Sequence, residues 1–144
     1  VGRRRVTAAL GQAGILMLRN AHVALGRTTD TLVIAGFGDP PRLTRTLAGL
    51  DGSKVICLMH RPDPFPQLPA TCALTIAGHT HGGQVALPLV QSWAMARASS
   101  LGVRYARGVI REKGHVLFVS PGIGTSSIAL RLGVPPEISL LRIE

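Results

Sequence analysis

Short apolar runs that end at glycine or a polar residue recur along the chain, and this pattern is typical of buried β-strands. Each run is too short for a core helix and is rich in β-branched residues. Three of them predict strands: TLVIAGFGD at residues 31–39, KVICLMH at 54–60 and CALTIAG at 72–78.

Other segments predict strands from alternation and turn residues. Residues 103–120 predict a hairpin that turns at Lys113–Gly114. Residues 15–25 predict one or two short strands, and residues 82–90 predict the opening of another. The final segment, PPEISLLRIE, predicts a last strand with alternating apolar positions.

Helical patterns are fewer. Residues 3–14 predict a helix that ends at glycine, with Val6, Leu10 and Ala9 on its inner side. Residues 39–52 predict a second helix with a proline near its start; its inner stripe is Leu43, Leu47 and Leu50. The proline-rich segment 61–69 predicts an irregular loop, and residues 91–102 are ambiguous.

Mixed strands with few helices predict an α/β or α+β protein. The length of 144 residues suits a single domain, and no linker divides it. Cys57 and Cys72 each lie inside a predicted strand and lack the close spacing of a zinc knuckle. We expect two buried thiols in a reducing compartment, with a disulfide as the open alternative.

The net charge of +9 attracts phosphates on nucleic acids or membrane surfaces. Apart from Arg3, Arg4 and Arg5 the arginines are dispersed, and aromatic residues are only 3% of the chain, so no nucleic-acid partner is expected. No apolar run is long enough to span a bilayer, and no signal peptide is visible. The expected location is the cytoplasm or the membrane periphery; any signal or anchor would precede Val1.

Three of the five histidines follow predicted strands: His60 follows one strand, and His79 and His81 follow another within a glycine-rich bend. If the strands are neighbours, their carboxyl ends bring the three imidazoles together. Imidazole suits Zn, Fe, Mn or Ni. Singly, each has an ordinary structural explanation; together they favour a site. His22 is interpreted as a strand surface residue, and His115 as part of the hairpin.

The strings HRPDPF, LTIAGHTHGGQVALP, LFVSPGIGTSS and RLGVPPEISLLRI resemble the calcineurin-like metallophosphoesterases, in particular their bacterial, YkuE- and YaeI-like branch. The string GHTHGGQ is highly specific, and the resemblance extends over most of the chain. It implies the C-terminal portion of a four-layer α/β-β/α sandwich. It also implies two divalent metal ions (Mn, Fe or Zn) that clamp a phosphate ester and supply a bridging hydroxide.

Carried over by position, the resemblance makes His60 and His79 ligands of the second metal and His81 a ligand of the first. Asp63 becomes a local structural residue that supports the ligands. The residues that would shape the loop are Gly78, Gly82 and Gly83.

The family's earlier motifs, DxH, GDxxD and GNHD, are absent from the sequence. Asp30, Asp39 and Asp51 lie in unsuitable surroundings, so the bridging aspartate, the asparagine ligand and the catalytic GNHD histidine have no counterpart. Residues 1–144 are therefore expected to form a partial domain with little hydrolase activity alone.

Three functions remain in competition. The first is a phosphoester hydrolase that needs a missing N-terminal half, with substrates that include phospholipids or lipid-linked esters. The second is a non-catalytic remnant or interaction module. The third is a phosphate- or lipid-headgroup-binding protein that associates with membrane surfaces.

Overall fold

A computed structural model describes residues 2–26, 31–50 and 54–142. Three α-helices are present there: α1 (Arg3–Gln12), α2 (Leu43–Thr46) and α3 (Pro88–Ala98). Three 3-10 turns occupy Phe65–Gln67, His81–Gly83 and Val103–Tyr105. The strands are β1 (Ala21–Leu25), β2 (Leu32–Gly36), β3 (Val55–Leu58), β4 (Cys72–Ala77), β5 (Gly108–Glu112) and β6 (His115–Val119).

The six strands form one mixed sheet in the order β1-β2-β3-β4-β6-β5. The four central strands β2, β3, β4 and β6 are parallel, whereas β1 and β5 pair antiparallel at the two edges. This is the expected α/β arrangement, with the predicted hairpin at β5 and β6. Because β3 and β4 are parallel neighbours, the loops that carry the three histidines leave from the same edge of the sheet.

One face of the sheet carries the core. A row of paired residues crosses it from β2 to β5, and every member is buried. Side chains in register on adjacent strands exclude water along the whole row, and all of them except Thr75 are apolar. The row consists of Ala35, Cys57, Thr75, Leu117 and Ile110.

The opposite face is apolar but only partly covered. Its residues also pair in register across the strands, and all of them except the buried Phe118 keep part of their surface in contact with solvent. Parallel strands are usually covered on both faces, so this surface is unusual for a central sheet. We call it the open face; it comprises Ile34, Ile56, Leu58, Leu74, Ile76, Val116, Phe118 and Val109.

The cysteine expectation was wrong, because Cys57 and Cys72 form a disulfide with a Cα–Cα distance of 5.7 Å. Both side chains are fully buried on the core side of the adjacent strands β3 and β4. Neighbouring strands bring two such residues within the range that a disulfide bridges. The bond ties together the two strands that lead to the histidines.

Several element predictions differ from the structure. The predicted inner residues of α1 are not buried: Val6 is 43% exposed. Residues 82–90 form the end of a 3-10 turn and the start of α3, with only an isolated bridge from Val85 to Leu132, because left-handed glycines interrupt any strand.

Two more differences follow from proline. Residues 135–142 form no strand, since Pro135 and Pro136 lack N–H donors for a ladder, and residues 143–144 lie outside the described part. The loop 61–69 contains the 3-10 turn Phe65–Gln67 rather than irregular structure alone.

The second predicted helix is shorter than expected, although Leu50 is buried and Leu43 and Leu47 pack against the core.

Candidate metal centre

The two histidine loops are joined by backbone hydrogen bonds that continue beyond the strands. The N–H of Met59 donates to Ile76 O at 3.0 Å, and the N–H of Gly78 donates to His60 O at 3.1 Å. This pairing fixes the relative height of the two loops. It brings His60 and His79 side by side at the carboxyl edge of the sheet.

The imidazoles of His60 and His79 contact each other directly. His60 Nε2 lies 2.9 Å from His79 Nδ1, and His79 Nε2 lies 3.1 Å from Ala98 O. A carbonyl only accepts, so His79 Nε2 carries the proton, and in the neutral ring its Nδ1 must be the acceptor. His60 therefore donates from Nε2, and its Nδ1 keeps the lone pair.

The pKa of His79 is lowered from its ordinary value, mainly because burial disfavours the charged ring. The neighbouring charges of His60 and Arg61 lower it further, against the hydrogen bond to Ala98 and the charge of Asp63, which raise it. His79 is therefore neutral at physiological pH. A neutral imidazole is the form that binds a metal.

His81 has a different partner from this pair. Its Nδ1 donates to Gly124 O at 3.1 Å, which leaves Nε2 with the lone pair in the neutral ring. Metal-binding histidines commonly donate their second ring nitrogen to a backbone carbonyl. His79 and His81 both contact a backbone carbonyl in this way, His79 that of Ala98 and His81 that of Gly124.

The glycine-rich loop has an unusual backbone. His79, His81 and Gln84 have positive φ angles of 70°, 51° and 57°, a conformation that costs energy for residues with a Cβ. Gly82 is also left-handed, and a Cβ at this position would lie 2.6 Å from Val134 Cγ1. Concentrated strain of this kind is typical of functional sites.

Side chains within the loop and beside it hold this backbone. The buried Thr80 Oγ1 donates to Ala106 O at 2.6 Å, and Gln91 Nε2 donates to Gly82 O at 3.1 Å. Gln84 donates from Nε2 to Ile128 O and accepts from the N–H of Ser126, both at 2.7 Å. The glutamine of GHTHGGQ therefore ties the loop to residues 126–128.

Asp63 ties the first histidine loop to the end of α3. Its Oδ1 accepts from the N–H and the hydroxyl of Ser100, both at 2.7 Å, while Oδ2 is buried without a hydrogen-bond partner. Burial raises the pKa of Asp63, but the hydrogen bonds from Ser100 outweigh it and leave the pKa below its ordinary value. These contacts are with Ser100, and the role of Asp63 in supporting metal ligands stays a prediction.

The described residues do not form a complete metal centre. No cluster of three histidine, cysteine or acidic side chains suited to a metal ion occurs among them. Asp39 lines a cavity of about 200 Å³ with His60 and Asp63. Asp30 and Asp51 lie outside the described residues.

The histidine pair alone is close to what one ion needs. Zn–N bonds of about 2.0–2.1 Å separate two nitrogens of a tetrahedral ion by roughly 3.3 Å. The 2.9 Å pair would open slightly, and His60 would move its proton from Nε2 to Nδ1. The remaining ligands would have to come from outside the described residues.

A larger cavity of about 550 Å³ lies beside His79 and His81. Its lining includes three residues that sequence reasoning missed: Arg61, Trp93 and Arg97. Arg61 directly follows His60, and Trp93 and Arg97 are one helical turn apart in the segment that was ambiguous. The spacing Val90, Trp93, Ala94 and Arg97 is the signal that predicts one face of a helix.

Arg131 was also missed. Its guanidinium donates to the carbonyl oxygens of Pro121 and Gly124. It therefore holds in place the Gly124 carbonyl that accepts the hydrogen bond from His81. Nothing in the local sequence distinguishes Arg131 from the other dispersed arginines.

The chain that carries these loops has named bacterial relatives. It is similar to the C-terminal portion of bacterial proteins named metallophosphoesterases. It is 29% identical over 138 residues to the uncharacterized metallophosphoesterase YkuE of Bacillus subtilis, which is 91% of this chain and 47% of that protein.

Two further relatives match a similar share of the chain. The chain is 28% identical over 144 residues to the phosphodiesterase YaeI of Escherichia coli, covering 93% of this chain and 49% of the relative. It is 26% identical over 137 residues to the uncharacterized protein YpbG of Bacillus subtilis, covering 90% and 49%. The chain thus spans about half the length of these curated relatives. No model of a protein family and no solved structure matches it.

Proposed function

We propose that this chain is the histidine-bearing part of a metal-dependent phosphoester hydrolase and that it has little activity alone. The observation that carries the proposal is the convergence of His60 Nε2 and His79 Nδ1 at 2.9 Å on the strained GHTHGGQ loop. Two imidazole nitrogens lie close together there, as one divalent ion requires, and no carboxylate joins them in the described part of the chain. His81 then serves a second ion.

The same proposal accounts for the open face. A set of partly exposed apolar residues on parallel strands is expected where a second layer is to pack. The proposal is that residues 1–144 form a partial domain. Its missing part would cover the open face and carry DxH, GDxxD and GNHD.

The first test uses the chain as it is. After exposure to Mn or Zn, metal content and turnover of bis-p-nitrophenyl phosphate are measured in the same sample. We expect substoichiometric metal and no turnover above background. Stoichiometric metal with turnover, both lost in His79→Ala, would contradict the proposed incompleteness.

The second test supplies the missing ligands by fusing the unmatched N-terminal part of Bacillus subtilis YkuE to this chain. We expect bound metal and turnover, both lost in His79→Ala. His22→Gln is the matched control, because His22 lies on the edge strand β1 and hydrogen-bonds to Thr46 O at the end of α2. Equal loss in both variants would indicate a folding defect rather than a metal ligand.

A second candidate function is phosphate or lipid-headgroup binding without catalysis. The net charge of +9 favours it. The test is binding of metal-free protein to anionic vesicles over a range of salt concentrations. Strong binding that vanishes with salt, combined with an inactive fusion, would support this function over hydrolysis. Within the described residues, no helix has the length and apolarity to cross a bilayer.

A further inference from the structure

The 550 Å³ cavity beside the histidines has one wall made by a single helix face. Val90, Trp93, Ala94 and Arg97 line it from α3, at helical spacings of three and four residues. Met95 on the other side of α3 is fully buried, so the helix is anchored through that side. The cavity volume lies in the range of small-molecule sites.

The cavity is positively charged near the histidines. Arg61 and Arg97 line it, and no carboxylate does. Neither arginine forms an ion pair with a carboxylate in the described part of the chain. Ser126 and Ser127 add polar groups from the loop that Gln84 holds. An anion is the ligand that this lining favours.

Apolar side chains also line the cavity. Trp93 is 63% exposed although it is a large aromatic residue, and Ile128 is also exposed. The guanidinium carbon of Arg97 lies 4.9 Å from the centre of the Trp93 ring, so a cation–π contact holds this cation beside the aromatic group. A ligand with a charged group and a flat apolar group matches this lining.

We infer that this cavity selects phosphoesters with an apolar ester group, aromatic ones most strongly. Arg61 and Arg97 bind the phosphate oxygens, and Trp93 with its neighbours on α3 takes the ester group. The inference rests on the proposed function for the identity of the anion. It does not depend on a bound metal.

The test therefore measures binding by metal-free protein. Phenylphosphonate and methylphosphonate carry the same charged group, and calorimetric titration gives both dissociation constants. We expect phenylphosphonate to bind about tenfold more tightly, as aromatic contacts of this kind give. Trp93→Ala should reduce the ratio to near one and Trp93→Phe should keep most of it. Leu89→Ala, at an 87% exposed residue of the same helix outside the cavity, should leave it unchanged.

The arginines are tested with the same two probes. Arg61→Gln and Arg97→Gln should weaken both phosphonates by a similar factor of about five to ten, because the lost contact is to the shared charged group. Arg111→Gln is the matched control, because Arg111 is an exposed residue of β5 and does not line the cavity.

Equal affinity for the two probes, no binding of either, or an unchanged ratio in Trp93→Ala would overturn the inference. An inactive fusion protein that still prefers phenylphosphonate would instead contradict the proposed function alone.

Discussion

The substitution Gly82→Ala tests whether packing, and not only backbone conformation, requires glycine in the GHTHGGQ loop. Gly82 has φ of 66°, where alanine costs about 1–2 kcal/mol. A Cβ there would also lie 2.6 Å from Val134 Cγ1 and 3.3 Å from Pro121 Cβ. Val134 is 1% exposed and has little room to move, so overpacking adds about 1–3 kcal/mol.

The matched control is Gly114→Ala at the hairpin turn. Gly114 has φ of 80°, and nothing lies within 4 Å of the position of its Cβ. This substitution should cost only the backbone part, about 1–2 kcal/mol. Urea unfolding of both variants gives the free energies of unfolding, and the difference between them isolates the steric part.

A double-mutant cycle sharpens the result. Val134→Ala removes the methyl group that meets the new Cβ, so Gly82→Ala should cost about 1–3 kcal/mol less in that background than in the wild type. Equal losses in Gly82→Ala and Gly114→Ala, or strict additivity in the cycle, would refute the argument that Val134 forbids a side chain at Gly82.

Other contacts give further predictions. Tyr105→Phe removes a hydrogen bond to the carboxylate of Glu112 and should cost about 1.5–3 kcal/mol in thermal or urea unfolding at neutral pH. That hydrogen bond, with burial, raises the pKa of Tyr105, so the wild type should lose this stability as the pH rises above about 10, and the variant should lack this step. The double variant Cys57→Ala and Cys72→Ala should lose about 3 kcal/mol, as expected for closure of a loop of this length, and should respond no further to dithiothreitol. Gln84→Ala should increase amide hydrogen exchange at residues 126–128, because both of their hydrogen bonds to its side chain disappear, while exchange in β3 stays unchanged.

The parts of the fold that could be predicted are those with a local signal. The runs at β2, β3 and β4 are apolar because parallel central strands are buried, and Lys113–Gly114 suits the hairpin turn. The approach of His60 to His79 also follows from sequence, since both residues come directly after adjacent parallel strands. The pairing order of the strands is a long-range property, so the sequence left the adjacency of β3 and β4 as a condition, which the structure fulfils.

The rest depends on tertiary contacts without a local signal. The Cys57–Cys72 disulfide requires β3 and β4 to be neighbours, and the sequence separation of the two cysteines does not reveal this. His81 hydrogen-bonds to the carbonyl of Gly124, which lies 43 residues further along the chain. This contact depends on the left-handed backbone of the loop and on Arg131, which holds the same carbonyl. The final segment looks like a strand by alternation alone, but no partner strand pairs with it in the described residues.

The strained loop indicates what a completing segment has to provide. Non-glycine residues with positive φ persist only where their surroundings determine them. Here the hydrogen bonds from Thr80, Gln84 and Gln91 all come from within the chain. His79 is therefore oriented by contacts within this chain. Under the proposed function, a completing segment would supply metal ligands and cover apolar surface, and the GHTHGGQ loop would keep its conformation. Hydrogen exchange at Gly82 and Gln84 should accordingly be the same in the isolated chain and in the fusion protein, whereas exchange along β3 and β4 should slow.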